Sequence, residues 1–143
     1  MVADKELVRE REVRIRSYLK DLQKFADISE PEFRRNKERQ YAVLHALQLA
    51  IEATIEIGTH ICSAEAIGVP ASYADTFRLL AENQVIDFQL AERLQKMAQF
   101  RNRIVHLYWD VNIGQVYEIM QNNLNDLNDY LRDIENFLDN VES

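Results

Sequence analysis

Apolar residues recur along this chain with a helical period, and capping residues punctuate the runs. Between Asp4 and Ala26, the residues Ile15, Tyr18, Leu19, Leu22, Phe25 and Ala26 form an i, i+3, i+4, i+7 stripe. The other face alternates in charge (Lys5, Arg9, Glu10, Glu12, Arg16, Lys20, Lys24), as a solvated helix surface does. Ser29-Glu30-Pro31-Glu32 is a capping box with proline in the first turn. It predicts one long helix reaching about Ala64. The apolar positions of that helix (Tyr41, Val43, Leu44, Leu47, Ala50, Ile51, Ile55, Ile57, Ile61) run nearly all round it. Such a helix is central to a fold or lies between subunits. One polar line remains, Gln48, Glu52, Glu56 and His60, at steps of four. Polar groups on so apolar a helix need partners or water. The line is either a narrow solvent-facing seam or a row of groups facing a shared cleft.

Gly68 and Pro70 mark a turn, and Ser72 through Asp75 is a second capping signal for a short helix ending near Asn83. Asp87 caps the next, with Ile86 and Ala91 placed as a hydrophobic staple. Leu90, Leu94, Met97, Arg101, Val105 and Tyr108 follow one face of that helix if it stays regular. Trp109 to Asn112 breaks the pattern, and Asn112 with Gln115 reads as another cap. The last helix is predicted to run unbroken to about Leu138. Its seam of Val116, Met120, Leu124, Leu127, Leu131, Ile134 and Leu138 wants another helix against it, in this chain or in a second subunit. The expectation is an all-α domain of about five helices spanning residues 1–143.

Composition agrees. Gly and Pro number only 3 and 2, which disfavours a sandwich, a barrel or a Gly-rich nucleotide loop. The single Cys62 excludes an internal disulfide and a cysteine-rich zinc site. The charge-free stretch from Tyr41 to Ile51 is too short to span a bilayer. The N-terminal residues contain no apolar signal-peptide core, so a reducing cytoplasm is the expected compartment.

The net charge of −7 is unevenly spread. Residues 1–40 hold 11 basic and 9 acidic residues; the remainder hold 6 and 15. That balance disfavours a broad nucleic-acid-binding face but leaves room for local clusters. Arg34, Arg35, Lys37 and Arg39 form one, and Arg101 with Arg103 another.

The second cluster lies within Arg101-Asn102-Arg103-Ile104-Val105-His106-Leu107-Tyr108, near a helix end. Asn102 and His106 share a face at i and i+4; Arg101 adjoins Asn102, and Arg103 is three residues before His106. A guanidinium beside an imidazole makes an anion site containing a titratable group. RNA phosphodiester cleavage needs little more: a base for the 2′-hydroxyl, a cation on the phosphoryl oxygens and an acid for the leaving oxygen. No metal is required, because the 2′-hydroxyl is the internal nucleophile. A single histidine does not readily perform both proton transfers, whereas two copies meeting across a dimer interface do. The simpler reading has His106 interacting with the last helix carbonyls and Arg101 in a surface ion pair.

The RNRIVHLY segment resembles the Arg-Asn-x-x-x-His-x-Tyr signature of the HepT-like branch of the HEPN superfamily. The run from Ala50 to Ile61, the stretch from Ser72 to Asp87 and the segment from Val105 to Ile119 are similar to the same family, so the likeness extends over roughly residues 5–140. The resemblance implies an all-helical HEPN bundle that forms a homodimer and acts as a metal-independent endoribonuclease, the toxin of a toxin–antitoxin pair. It implies that Arg101 holds the phosphate, His106 transfers protons and Asn102 orients the motif, with Arg103 in support. The implied partner is a minimal nucleotidyltransferase antitoxin of the MntA kind, which attaches AMP to Tyr108. Glu52, Glu56 and His60 fall at family-like polar positions and are candidates for bracing the dimer or Arg101. No cofactor is implied. A reading of a different class keeps the fold and makes the chain a non-catalytic helical partner that positions a nucleotidyltransferase.

Overall fold

The computed structural model describes residues 3–142. Among these residues the chain is wholly helical: α1 (Lys5–Phe25), α2 (Glu30–Arg35), α3 (Lys37–Ala64), α4 (Tyr73–Glu82), α5 (Phe88–His106), a 3-10 turn (Tyr108–Asp110), α6 (Ile113–Asn122) and α7 (Asn125–Glu142). No helix among them is long and apolar enough to cross a membrane. The expected caps are present. Ser29, Ser72, Asp87 and Asn112 each accept a hydrogen bond from a first-turn amide, and Asp4, not singled out by the pattern, caps α1 in the same way.

Seven α-helices replace the expected five because two long runs are interrupted at asparagine. Asn36 leaves the helical region (φ −108°, ψ 90°) and its side chain caps α3 by accepting from the Arg39 amide at 2.9 Å. The Gln40 side-chain amide then donates to the carbonyls of Phe33 and Arg34 at 2.8 and 3.0 Å. The Phe33 carbonyl also accepts from the Asn36 amide at 3.2 Å, whereas that of Arg34 would otherwise be orphaned at the end of α2. The second interruption, at Asn123 and Leu124, is milder. Asp126 and Leu127 donate to carbonyls three residues back, so the ladder tightens for one turn. Leu124 stays buried, and the seam continues across the joint.

α3 is the central element and packs against α1, α2, α4, α5 and α6. Its apolar positions are buried as the pattern predicts, except Leu44, which is half-buried, and Tyr41, which is exposed. Gly58 sets the approach of α4: a Cβ there would stand 2.7 Å from the Thr76 methyl and 3.2 Å from the Tyr130 hydroxyl. Every residue of the last seam from Val116 to Leu138 is buried within this chain, with α7 packed on α5 and α1. The partner for that seam is therefore intramolecular. Tyr130 is fully buried on α7 and donates its hydroxyl to the Thr54 carbonyl of α3 at 2.9 Å.

One buried acid stands out on α1. Glu12 is 1% exposed, and one of its carboxylate oxygens is buried without a hydrogen-bond partner. Burial, and then the neighbouring Glu135 carboxylate, push its pKa up to about 7, against a smaller opposite pull from Arg16 and Arg9. The folded protein thus holds a proton there that the unfolded chain, near its ordinary 4.5, has already released. Stability falls as pH rises through that window. We expect Glu12→Gln to change the melting temperature little at acid pH and to raise it above neutrality. The difference should grow between about pH 4.5 and about 7 and reach roughly 3 kcal/mol at its upper bound. Thermal melts of both proteins across that range check it; parallel pH profiles would contradict it.

Candidate functional site

Arg101 projects from the penultimate turn of α5 into the angle between α3 and α4. Its guanidinium lies over the Tyr73 ring, with Cζ 5.1 Å from the centroid, a cation–π contact. Nη2 donates to Glu52 of α3 at 3.4 Å and Nη1 to the Asn102 side-chain Oδ1 at 3.2 Å. Glu52 is oriented in turn by the Gln48 amide at 2.9 Å. The Arg101 side chain is 15% exposed, yet its Nε–H is buried with no hydrogen-bond partner. A guanidinium carries five donors. Here two are engaged, both at the long end of hydrogen-bond range, and one is orphaned. An unsatisfied buried donor costs about 1–3 kcal/mol.

α5 ends at His106. Leu107 departs from helical geometry (φ −137°, ψ 45°) while still donating to the Arg103 carbonyl at 2.8 Å, and Asp110 then closes the 3-10 turn on Leu107. This early stop corrects the expectation of a regular helix through Tyr108. The apolar stripe is buried from Leu90 to Met97, but Val105 and Tyr108 face outward at 37% and 69% exposure. His106 is exposed at the last helical position, the end where a cation is electrostatically favoured.

A groove of about 660 Å³ opens beside these groups. Arg101, Asn102, Val105 and His106 form one wall; Tyr73, Thr76 and the Pro70–Ser72 segment form the other. A smaller recess of about 290 Å³ lies on the other side of the Tyr73–Arg101 pair, between Glu52, Ile55, Glu56 and Thr59. The chain thereby brings together Arg101, Asn102, His106 and Glu52. Glu56 borders the smaller recess but is ion-paired to Arg11 of α1. His60 accepts a hydrogen bond from the Asp4 amide through Nε2 at 2.8 Å and borders neither space. Each member of the polar line beyond Gln48 thus takes a partner from a different element: α5, α1 and the residue capping α1. Arg103 lies apart, lining a separate groove with Lys96 and Gln115. Tyr108 borders none of these spaces and stacks edge-on against Trp109 at 5.4 Å between centroids.

Tyr73 is absent from the residues that spacing singles out. A signal for it did exist: α4 and α5 are joined by only five residues, Asn83 to Asp87, so they must run antiparallel. The start of α4 then lies alongside the end of α5. Val105, Leu107, Tyr108 and Trp109 form an exposed apolar collar around the motif, at 37%, 43%, 69% and 71% exposure.

A family model described as Ribonuclease HepT-like matches residues 15–134. The chain is 35% identical over 100 residues to the mRNA nuclease HepT of Shewanella oneidensis, covering 70% of this chain and 75% of that protein. It is 31% identical over 125 residues to the tRNA nuclease HepT of Aphanizomenon flos-aquae, covering 87% and 85%. Its fold is similar to that of a tri-AMPylated Shewanella oneidensis HEPN toxin solved in complex with an MNT antitoxin. That similarity has a TM-score of 0.83 and 30% identity over 90% of this chain and 96% of the other.

The contact between Tyr73 and Arg101 has a measurable consequence. A cation–π contact of this exposure contributes about 1 kcal/mol. Tyr73→Leu should therefore quicken solvent exchange of the Arg101 Nε–H severalfold in proton–nitrogen NMR spectra, while Tyr73→Phe keeps the ring and the slow exchange. Equal rates in the two variants would remove the ring from the account.

Proposed function

This chain belongs to the Ribonuclease HepT-like family, and on that premise we propose that it is an RNA-cleaving toxin restrained by a nucleotidyltransferase antitoxin. The observation that carries the reading is the under-satisfied, largely buried guanidinium of Arg101 opening on the same groove as the exposed imidazole of His106. Arg101 binds the non-bridging oxygens of a phosphodiester through a planar fork of donors. His106 takes the 2′-hydroxyl proton. The 2′-oxygen attacks phosphorus and the bond to the 5′-oxygen breaks, with an imidazolium returning a proton to that leaving oxygen. The products are a 2′,3′-cyclic phosphate and a free 5′-hydroxyl.

One protomer offers one His106, and the reaction uses a base and an acid together. We assign the second to the His106 of a second copy, docked through the exposed apolar side chains Val105, Leu107 and Trp109, with the Tyr108 phenol left open at their edge. A homodimer satisfies both needs: it covers these three apolar side chains and supplies the second imidazole. Glu52 and Tyr73 position Arg101 from opposite sides, and Asn102 steadies it. No metal enters this scheme, since the nucleophile belongs to the substrate.

Tyr108 is the modification site in this reading. Its phenol is exposed two residues beyond His106. An adenylyl group on it adds a phosphate charge and a bulky base at the mouth of the cleft, which repels and obstructs RNA.

Arg101→Ala and His106→Ala should each reduce cleavage by at least a hundredfold while eluting as the wild-type assembly. Expression of the wild type should arrest growth, relieved by His106→Ala. A purified wild type that neither arrests growth nor cuts RNA would favour the non-catalytic partner reading instead. With the cognate nucleotidyltransferase and ATP, peptide mass spectrometry should find AMP on Tyr108 and none in Tyr108→Phe. Adenylylation at another residue would displace that assignment.

A further inference from the structure

Beyond residue 40 the chain has six basic residues: Arg78, Arg93, Lys96, Arg101, Arg103 and Arg132. Four are ion-paired. Arg78 pairs with Asp75 and Glu82, Arg93 with Asp126, Arg101 with Glu52, and Arg132 with Asp129 and Asp133. Lys96 and Arg103 have no ion pair among the described residues. Both lie on α5, seven residues apart, and so share a face.

That face is a continuous exposed ridge. Lys96, Gln99, Arg103 and His106 step by three, four and three, and all four are exposed. Lys96, Gln99 and Arg103 also border one groove of about 230 Å³, closed on its far side by Gln115 of α6. The ridge starts in this groove and ends at the imidazole, about 15 Å along the helix axis. In a chain of net charge −7, two cations without an ion pair among the described residues, on the face that leads to His106, are a local exception to the surrounding field, with Glu118 and Asp126 bordering the neighbouring groove on Lys96.

We propose that this ridge is the track for the single-stranded RNA flanking the scissile phosphate. Lys96 and Arg103 hold backbone phosphates, and the Gln99 and Gln115 amides donate to phosphate or sugar oxygens between them. The inference rests on the ribonuclease reading and extends it from the reacting phosphate to its neighbours. The chemistry favours RNA over a protein partner. Lysine is depleted in protein interfaces, and the ridge has no exposed aromatic anchor along Lys96, Gln99 and Arg103, whereas spaced cations with amide donors suit a phosphate backbone.

The test is equilibrium binding of a fluorescent single-stranded 2′-O-methyl RNA, which lacks the free nucleophile and stays intact, at salt from about 50 to 200 mM. The pair Lys96→Gln with Arg103→Gln should weaken binding about tenfold. It should flatten the plot of log affinity against log salt by about 1.4, at about 0.7 per phosphate lost. The control pair Lys20→Gln with Lys24→Gln, exposed cations on α1, should bind as the wild type. Wild-type binding by the ridge variant, or an equal loss in the control, overturns the track. So does a ridge variant that keeps RNA and instead loses the nucleotidyltransferase partner. The premise is separable: if the wild type cuts no natural RNA yet the ridge pair alone weakens binding, the track stands and the nuclease reading falls.

Discussion

Burying one helix on almost every side constrains everything packed around it. α3 is apolar over most of its circumference, so α1, α2, α4, α5 and α6 must cover it. Its polar line cannot be left bare among them. Glu52 receives Arg101 from α5, Glu56 receives Arg11 from α1, and His60 receives the Asp4 amide at the start of α1. Each of these contacts fixes the register of a neighbour along α3. The line read from spacing as either a solvent seam or a cleft-facing row does some of both. Glu52 and Glu56 border the recess beside Arg101, and His60 ties down the chain end.

That packing suits Arg101 to the phosphate-binding role proposed for it. A fully solvated arginine is a weak phosphate ligand, because water competes for its donors and its side chain is disordered. Here the Tyr73 face and the Glu52 carboxylate hold the guanidinium in one place and remove much of its hydration. Glu52 is too long a partner to satisfy it, and Nε is left without one. The result is a preorganised cation with donor capacity in reserve, which is the arrangement electrostatic stabilisation of a developing charge requires. His106, by contrast, makes no side-chain hydrogen bond or ion pair among the described residues and takes its position from the end of α5. The early stop of that helix at Leu107 turns Tyr108 and Trp109 outward, where they form the collar rather than extending the core.

The charge pattern reads differently once ion pairs are assigned. By count, the chain beyond residue 40 is acidic and looks inhospitable to RNA. Most of its cations are spent on local carboxylates, and the two that are not lie on the face leading to His106. Net charge is a property of the sum; a binding track depends on which charges remain uncompensated and how they are spaced.

The helical class, the caps at Ser29, Ser72, Asp87 and Asn112 and the burial of the last seam were all legible in the sequence. Each rests on local chemistry: period, propensity and the hydrogen-bonding reach of a neighbouring side chain. The interruptions at Asn36 and Asn123 were not legible, because an asparagine inside a helical pattern ends a helix only when something takes the freed carbonyls. At the first, Gln40 does so from the next turn. Tyr73 was invisible for a related reason: its role exists only where the α4–α5 hairpin folds it onto Arg101. Arg103, two residues from Arg101, stands on another face and lines another groove. Sequence decides which residues share a helix face. Tertiary packing decides which faces meet, since that depends on contacts between residues far apart in the chain.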